Sequence, residues 1–170
     1  MSRRTVVLGM GNPILTDDSV GVRLAQDVQA ALSGCPGLEV VPECSVGGLN
    51  LLDYLEGFDE AVVLDAIHTT GGQPGDCYYF TAVDLRDTAN LSNVHDANFA
   101  TALTLGRNLG MRLPRDPDIH VFAVEVEDDL TFGTELTTTL RLAYPVCLKM
   151  VMDGLEELLG ITIGASAREE

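Results

Sequence analysis

Four residues carry the side chains around which chemistry could be built: Asp17, Asp18, Asp65 and His95. The two adjacent carboxylates lie in Gly9-Met10-Gly11-Asn12-Pro13-Ile14-Leu15-Thr16-Asp17-Asp18-Ser19-Val20-Gly21, between an apolar run and an amphipathic repeat. Asp65 follows Ala61-Val62-Val63-Leu64, and His95 stands where a helix is expected to begin. Hard carboxylate oxygens with one imidazole, and coordination positions left open, suit a divalent transition ion such as nickel or zinc. Such an ion can polarise a peptide carbonyl and activate water. The same residues also have plainer uses. An Asp at a helix start is a common N-cap, and an Asp ending a strand often bonds local backbone amides. A lone His at a loop-to-helix junction is commonly a surface or capping residue. His68 competes with His95 as the imidazole donor, whereas His120 sits inside a strand pattern and reads as structural. The acidic loop with Glu125, Glu127, Asp128 and Asp129 adds further carboxylates near the same edge.

The elements that must position these groups follow from hydrophobic patterning. Val6-Val7-Leu8 reads as a strand buried on both faces. Val20, Leu24, Val28 and Leu32 recur every four residues, one stripe of a helix that Gly34 and Pro36 end. Leu38-Glu39-Val40-Val41 starts a second strand running towards Cys44, and Leu49, Leu52 and Leu55 mark a short helix. A third strand ends at Asp65, and Cys77-Tyr78-Tyr79-Phe80 makes a fourth, a candidate edge strand. Asp84 to Val94 is polar and aperiodic; Phe99, Ala102, Leu103 and Leu109 then mark a helix with His95 at its entrance. Ile119 to Val124 is a fifth strand. Leu140, Tyr144, Leu148, Met152, Leu155 and Leu159 mark a long last helix, with a kink or a later start expected at Pro145.

This alternation predicts an α/β fold: three layers, with a mostly parallel, five-stranded twisted sheet and helices on both faces. One domain is expected over 1–160, with a flexible tail over 161–170. In such sheets ligands bind at the carboxyl ends of the strands, near the point where strand order reverses. That rule brings the loop after the first strand, the end of the third strand and the helix entrance at His95 to one edge.

Composition narrows the partners. With 10 Lys and Arg against 26 Asp and Glu, the formal net charge is −16, so nucleic acid and anionic membrane are poor partners. The 46% hydrophobic content is enough for a sizeable aliphatic core without staples. Four cysteines, Cys35, Cys44, Cys77 and Cys147, form no C-x-x-C pair and read as reduced, consistent with a cytoplasmic protein. The apolar run behind Arg3-Arg4 breaks at Gly9, too soon for a signal peptide or a membrane span. Other motifs are missing. Position 14 is Ile where a dinucleotide fingerprint needs its third glycine, and no Walker phosphate loop or G-x-S-x-G elbow occurs.

At Gly9-Met10-Gly11-Asn12-Pro13, Asp17-Asp18 with Gly21, Leu64-Asp65-Ala66, Val94-His95-Asp96, and Phe132-Gly133 with Leu136, the sequence resembles the hydrogenase maturation endopeptidases. The matching motifs run in order through nearly the whole chain. The resemblance implies a cytoplasmic, aspartyl-type endopeptidase that removes the C-terminal extension of a nickel-iron hydrogenase large-subunit precursor and so activates the hydrogenase. It also implies a metal site of Asp18, Asp65 and His95, which would be the catalytic residues. The nickel would be carried by the substrate, and another divalent ion could take its place in a crystal. Asp17 is then the structural member of the acidic pair. Ser19 stands where many members have Gly, a change the first turn of a helix tolerates.

Two other classes share parts of the pattern. A receiver-like phospho-accepting domain also places a carboxylate pair after its first strand and an Asp on its third. It needs a lysine after the fifth strand to offset phosphoryl charge, and the one lysine here is Lys149, in the last helix. A non-catalytic nickel-binding module would need the same ligands as the endopeptidase.

Overall fold

The structure, a computed structural model, describes residues 3–44, 47–87 and 94–162. Five strands, β1 (Thr5–Met10), β2 (Leu38–Cys44), β3 (Glu60–Ile67), β4 (Cys77–Thr81) and β5 (Ile119–Glu125), form one sheet in the order β2-β1-β3-β5-β4. β1, β2, β3 and β5 are parallel, and β4 closes one edge antiparallel to β5. The expected α/β architecture is present. The central strands are apolar on both faces because both faces are covered: Val6, Val7, Leu8, Ala61, Val62 and Leu64 are each fully buried.

One face packs on α1 (Val20–Ala31) and α5 (Thr138–Leu159), with Val20, Leu24, Val28, Leu140, Cys147, Val151 and Leu155 closing over Val7, Val62 and Phe122. The other packs on α2 (Leu51–Leu55) and α4 (Val94–Asn108), with Leu51, Leu52, Leu55, Phe99 and Leu103 against Val6, Leu8 and Ile119. Removing a methylene-rich side chain such as Leu24 from this close-packed interior costs about 2–5 kcal/mol.

Four sequence expectations need correction. Leu49 is 56% exposed, and Leu51 takes its place in the core, because a 3-10 turn at Gly48–Asn50 precedes α2 and rotates its buried face. Asp65 does not end its strand: β3 runs on to Ile67, held by the partner pairs Ala66–Val124 and Ile67–Glu125. The polar stretch after β4 begins as a helix, α3 (Ala82–Asp87), started by Asp84 Oδ2, which accepts the N–H of Thr81 at 2.7 Å; residues 88–93 lie outside the described residues. Of the kink or later start expected at Pro145, the later start does not occur: α5 starts at Thr138 and continues through Pro145. Pro145 and Arg141, whose carbonyl loses its helical partner there, both lie on the solvent side. Of the expected tail, residues 163–170 lie outside the described residues, and α5 ends on a left-handed Gly160.

Candidate active site

The strand order reverses between β1 and β3: from β1 the chain steps outward to β2, and then returns to place β3 on the other side. Loops leaving the carboxyl ends of these two strands diverge and open a crevice. The start of α1 is seated there. A Cβ on Gly21 would lie 2.3 Å from the Leu64 carbonyl oxygen and 2.4 Å from that of Met10, so only glycine lets the helix backbone approach both strand ends. Asp18 lies one helical turn before this seat, with Ser19 and Val20 between, and Asp65 immediately follows Leu64. The two carboxylates singled out from the sequence therefore flank one backbone junction.

The loop that carries Asp18 is tightly folded. Gly11 adopts φ +119°, and a Cβ there would lie 2.0 Å from the Asp18 carbonyl oxygen. The chain curls back so that the Asn12 N–H donates to Asp18 Oδ2 at 2.7 Å, while Asn12 Oδ1 accepts the Ile14 N–H at 3.1 Å. Asp18 is half-buried. Asp65 is half-buried as well, and its Oδ1 accepts the N–H of Ala66 at 2.8 Å. Both carboxylates are thus oriented by backbone donors at the sheet edge.

Asp17 has a different environment. Its side chain is fully buried. Oδ2 accepts the N–H of Asp128 at 3.0 Å, the N–H of Glu127 at 3.2 Å and the Thr137 hydroxyl at 3.0 Å, while Oδ1 accepts the Thr137 N–H at 2.8 Å. This carboxylate pins the β5–α5 connection to the β1–α1 loop. Thr137 is in turn the N-cap of α5, accepting the Leu140 N–H.

His95 lies in the first turn of α4, and its side chain lies outside the described residues. The far end of α4 has a defined connection to the sheet. Its last turn leads through Pro114 and a 3-10 turn at Asp116–Asp118 into the amino end of β5. α4 packs on the sheet through Phe99, Ala102 and Leu103, in one apolar cluster with Val6, Leu8 and Ile119. Among the described residues no three His, Cys, Asp or Glu side chains assemble a metal cage, a set to which His95 does not contribute.

The other candidates are accounted for. His68 is exposed, with Nδ1 3.9 Å from Asp129 Oδ2. His120 lies at the opposite, amino end of the sheet, where Nδ1 meets the Tyr79 hydroxyl at 2.8 Å and Nε2 lies 3.3 Å from Glu60 Oε1. Glu125 is buried and takes the N–H and hydroxyl of Thr69 at 2.7 and 2.6 Å, holding the β3–β4 loop. Asp128 shapes its own loop: Thr131 and Leu130 donate to it, which holds its carboxyl below the ordinary range. Thr137 and Thr69 had no signal in the sequence, since single polar residues in loops carry no periodicity, whereas Asn12 stood in the opening glycine motif. Ser19 is more than tolerated, because its hydroxyl donates to the Thr16 carbonyl at 2.8 Å and accepts from Arg23 Nε at 3.0 Å.

The family profile of hydrogenase maturation proteases (HycI) matches residues 40–154. The chain belongs to the hydrogenase maturation protease family. It is 26% identical over 160 residues to the hydrogenase 2 maturation protease of Escherichia coli K12, covering 91% of this chain and 92% of that protein. Its fold matches the structure of the E. coli hydrogenase maturating endopeptidase HybD with a TM-score of 0.69 at 25% identity, over 91% of this chain and 93% of the other. The HybD maturation protease of Thermococcus kodakarensis shares the fold with a TM-score of 0.63 at 19% identity, over 88% and 97%. As a member of this family the chain is an endopeptidase, and both the receiver-like reading and the non-catalytic module give way to that assignment. No helix among the described residues is long and apolar enough to cross a membrane.

Proposed function

We propose that this endopeptidase removes the C-terminal extension from the large-subunit precursor of a nickel-iron hydrogenase, in the cytoplasm, and that Asp18, Asp65 and His95 read the nickel already inserted in that substrate. The observation that carries this reading is the contrast within the acidic pair. Asp17 is withdrawn into the interior with its oxygens occupied, whereas Asp18 stays half-buried beside the seat of Gly21 on Leu64 and Met10, across which lies Asp65. Two carboxylates and an imidazole without a thiolate suit a shared, exchangeable site better than a tight private one. The nickel belongs to the substrate and brings its own protein ligands.

On this reading, one of the two carboxylates takes a proton from water as the oxygen attacks the scissile carbonyl carbon. The C–N bond breaks, and the same proton passes to the departing nitrogen. The half-buried setting limits competing solvent while leaving room for a peptide.

The test is cleavage of purified precursor, with and without nickel, followed by loss of the C-terminal peptide. Nickel-loaded precursor should be cut and nickel-free precursor spared. Asp18→Asn, Asp65→Asn and His95→Ala should each slow cleavage by about 100-fold or more. Equal cutting of nickel-free precursor would contradict the metal-reading step, and undiminished cutting by His95→Ala would remove that residue from the site.

A further inference from the structure

Beside Asp18 the fold holds an apolar surface that the chemistry does not use. The β1–α1 loop and the β5–α5 loop are joined by an antiparallel bridge between Leu15 and Phe132. Thr16 N–H donates to the Thr131 carbonyl at 3.0 Å, Gly133 N–H donates to the Ile14 carbonyl at 3.0 Å, and Asp17 N–H donates to the Asp128 carbonyl at 2.9 Å. The Thr16 hydroxyl adds a bond to the Thr131 carbonyl at 2.6 Å. On this pinned frame Ile14 is 54% exposed, Phe132 76% and Leu130 80%.

Three large apolar side chains standing in water on a loop pair are expensive unless something covers them. A loop with no such role would carry polar residues and move, but this one is fastened by the buried Asp17 carboxylate and turned by Asp128 so that Leu130 projects. Rigid presentation lowers the ordering cost of docking. The rim has one sign of charge. From Glu125 to Glu135 there are five carboxylates and no Lys or Arg, and Glu127 and Glu135 are exposed.

We infer that Ile14, Leu130 and Phe132 form the docking platform for the stretch of precursor chain next to the scissile bond, a segment carrying apolar side chains flanked by Lys, Arg or His. The inference rests on the proposed function. It gains support from the continuity of the surface with the site, since Ile14 and Asp18 belong to one tightly folded loop, and from the complementarity of an acidic rim to a basic segment. Apolar anchors surrounded by a polar rim concentrate binding energy in few residues.

The experiment compares the wild-type chain with the double variant L130S/F132S and the apolar replacement L130M/F132L, using nickel-loaded precursor. KM should rise about tenfold or more in L130S/F132S, with kcat within about twofold, and L130M/F132L should restore it. Direct binding to the precursor, measured in an Asp65→Asn background that does not cut, should weaken in parallel. Glu127→Gln should slow association, an effect lost at high salt. Unchanged KM and binding in L130S/F132S would overturn the docking assignment while leaving the cleavage reading intact. Loss of self-association by this variant with unchanged precursor binding would give the platform to a second copy of the chain and overturn it equally. Precursor binding that depends on Leu130 and Phe132 without any cleavage by the wild-type chain would uphold the platform and sink the catalytic reading. Neither binding nor cleavage would sink both.

Discussion

The carboxylate of Asp17 accepts the backbone N–H of Thr137 at 2.8 Å, joining the loop after the first strand to the start of the last helix across 120 residues of sequence. The bond is buried, and the same carboxylate holds the turn between them through Glu127 and Asp128. It explains why two adjacent aspartates differ in role: one organises the edge on which the other stands.

That division makes the two residues separable by experiment. Asp17→Ala strips the acceptor from three backbone N–H groups and one hydroxyl, and should destabilise the chain by about 3 kcal/mol or more. Asp18→Asn keeps the shape and an acceptor for the Asn12 N–H, and should change stability by less than about 1 kcal/mol while abolishing cleavage. Urea unfolding of both variants, set beside their cleavage rates, measures the difference. Equal destabilisation would remove the distinction.

Gly21→Ala should be far more harmful than a mid-surface glycine change. Its methyl would meet two carbonyl oxygens at 2.3 and 2.4 Å, both part of the sheet backbone. The helix must therefore lift from β1 and β3, carrying Asp18 away from Asp65. A lowered melting temperature with loss of cleavage is expected, and a crystal structure would show the start of α1 displaced.

Acid should unfold the protein through identifiable carboxylates. Burial pushes the Asp118 carboxyl up, but hydrogen bonds from Arg115 and Arg3 outweigh it and leave it below its ordinary value of 3.8. The N–H of Arg4 holds Asp59 low, and Thr131 does the same for Asp128. A carboxyl lowered in the folded state binds fewer protons than in the unfolded chain. Its contribution is present in full above the unfolded value of about 4, and is lost as pH falls through the folded value. Stability measured by urea between pH 6 and pH 2, taken as about the span of these titrations, should fall steeply below about pH 4. Arg3→Ala with Arg115→Ala should flatten that fall.

The Cys77 thiol should resist alkylation. A hydrogen bond with Cys147, together with burial, pushes it well above the usual thiol range. Iodoacetamide at about pH 8 should label Cys77 far more slowly in the folded chain than in urea, read by mass spectrometry of the peptide.

The sheet, the α1 stripe and the edge position of β4 were legible because burial writes itself as periodicity: Val20, Leu24 and Val28 face one way, and Val62, Val63 and Leu64 leave no polar face. The rule that loops gather at a switch point brought Asp18 and Asp65 to one edge. Less legible were features set by single contacts. Nothing near Leu49 announces that a 3-10 turn hands its place to Leu51. Thr137 lies so far from Asp17 in sequence that only the folded chain reveals their bond. The exposed apolar residues Ile14, Leu130 and Phe132 were hard to connect for a similar reason, since only the bridge of Leu15 to Phe132 joins the two loops that carry them.

On the proposed function, Asp18, Asp65 and His95 converge on one divalent ion. A crystal of the full chain soaked in a nickel or cadmium salt, with anomalous scattering measured at the metal's absorption edge, decides whether they do. The expected result is a single strong peak between β1 and β3, within coordinating distance of all three side chains. A peak elsewhere, or His95 well apart from the two carboxylates with the ion bound, would contradict it.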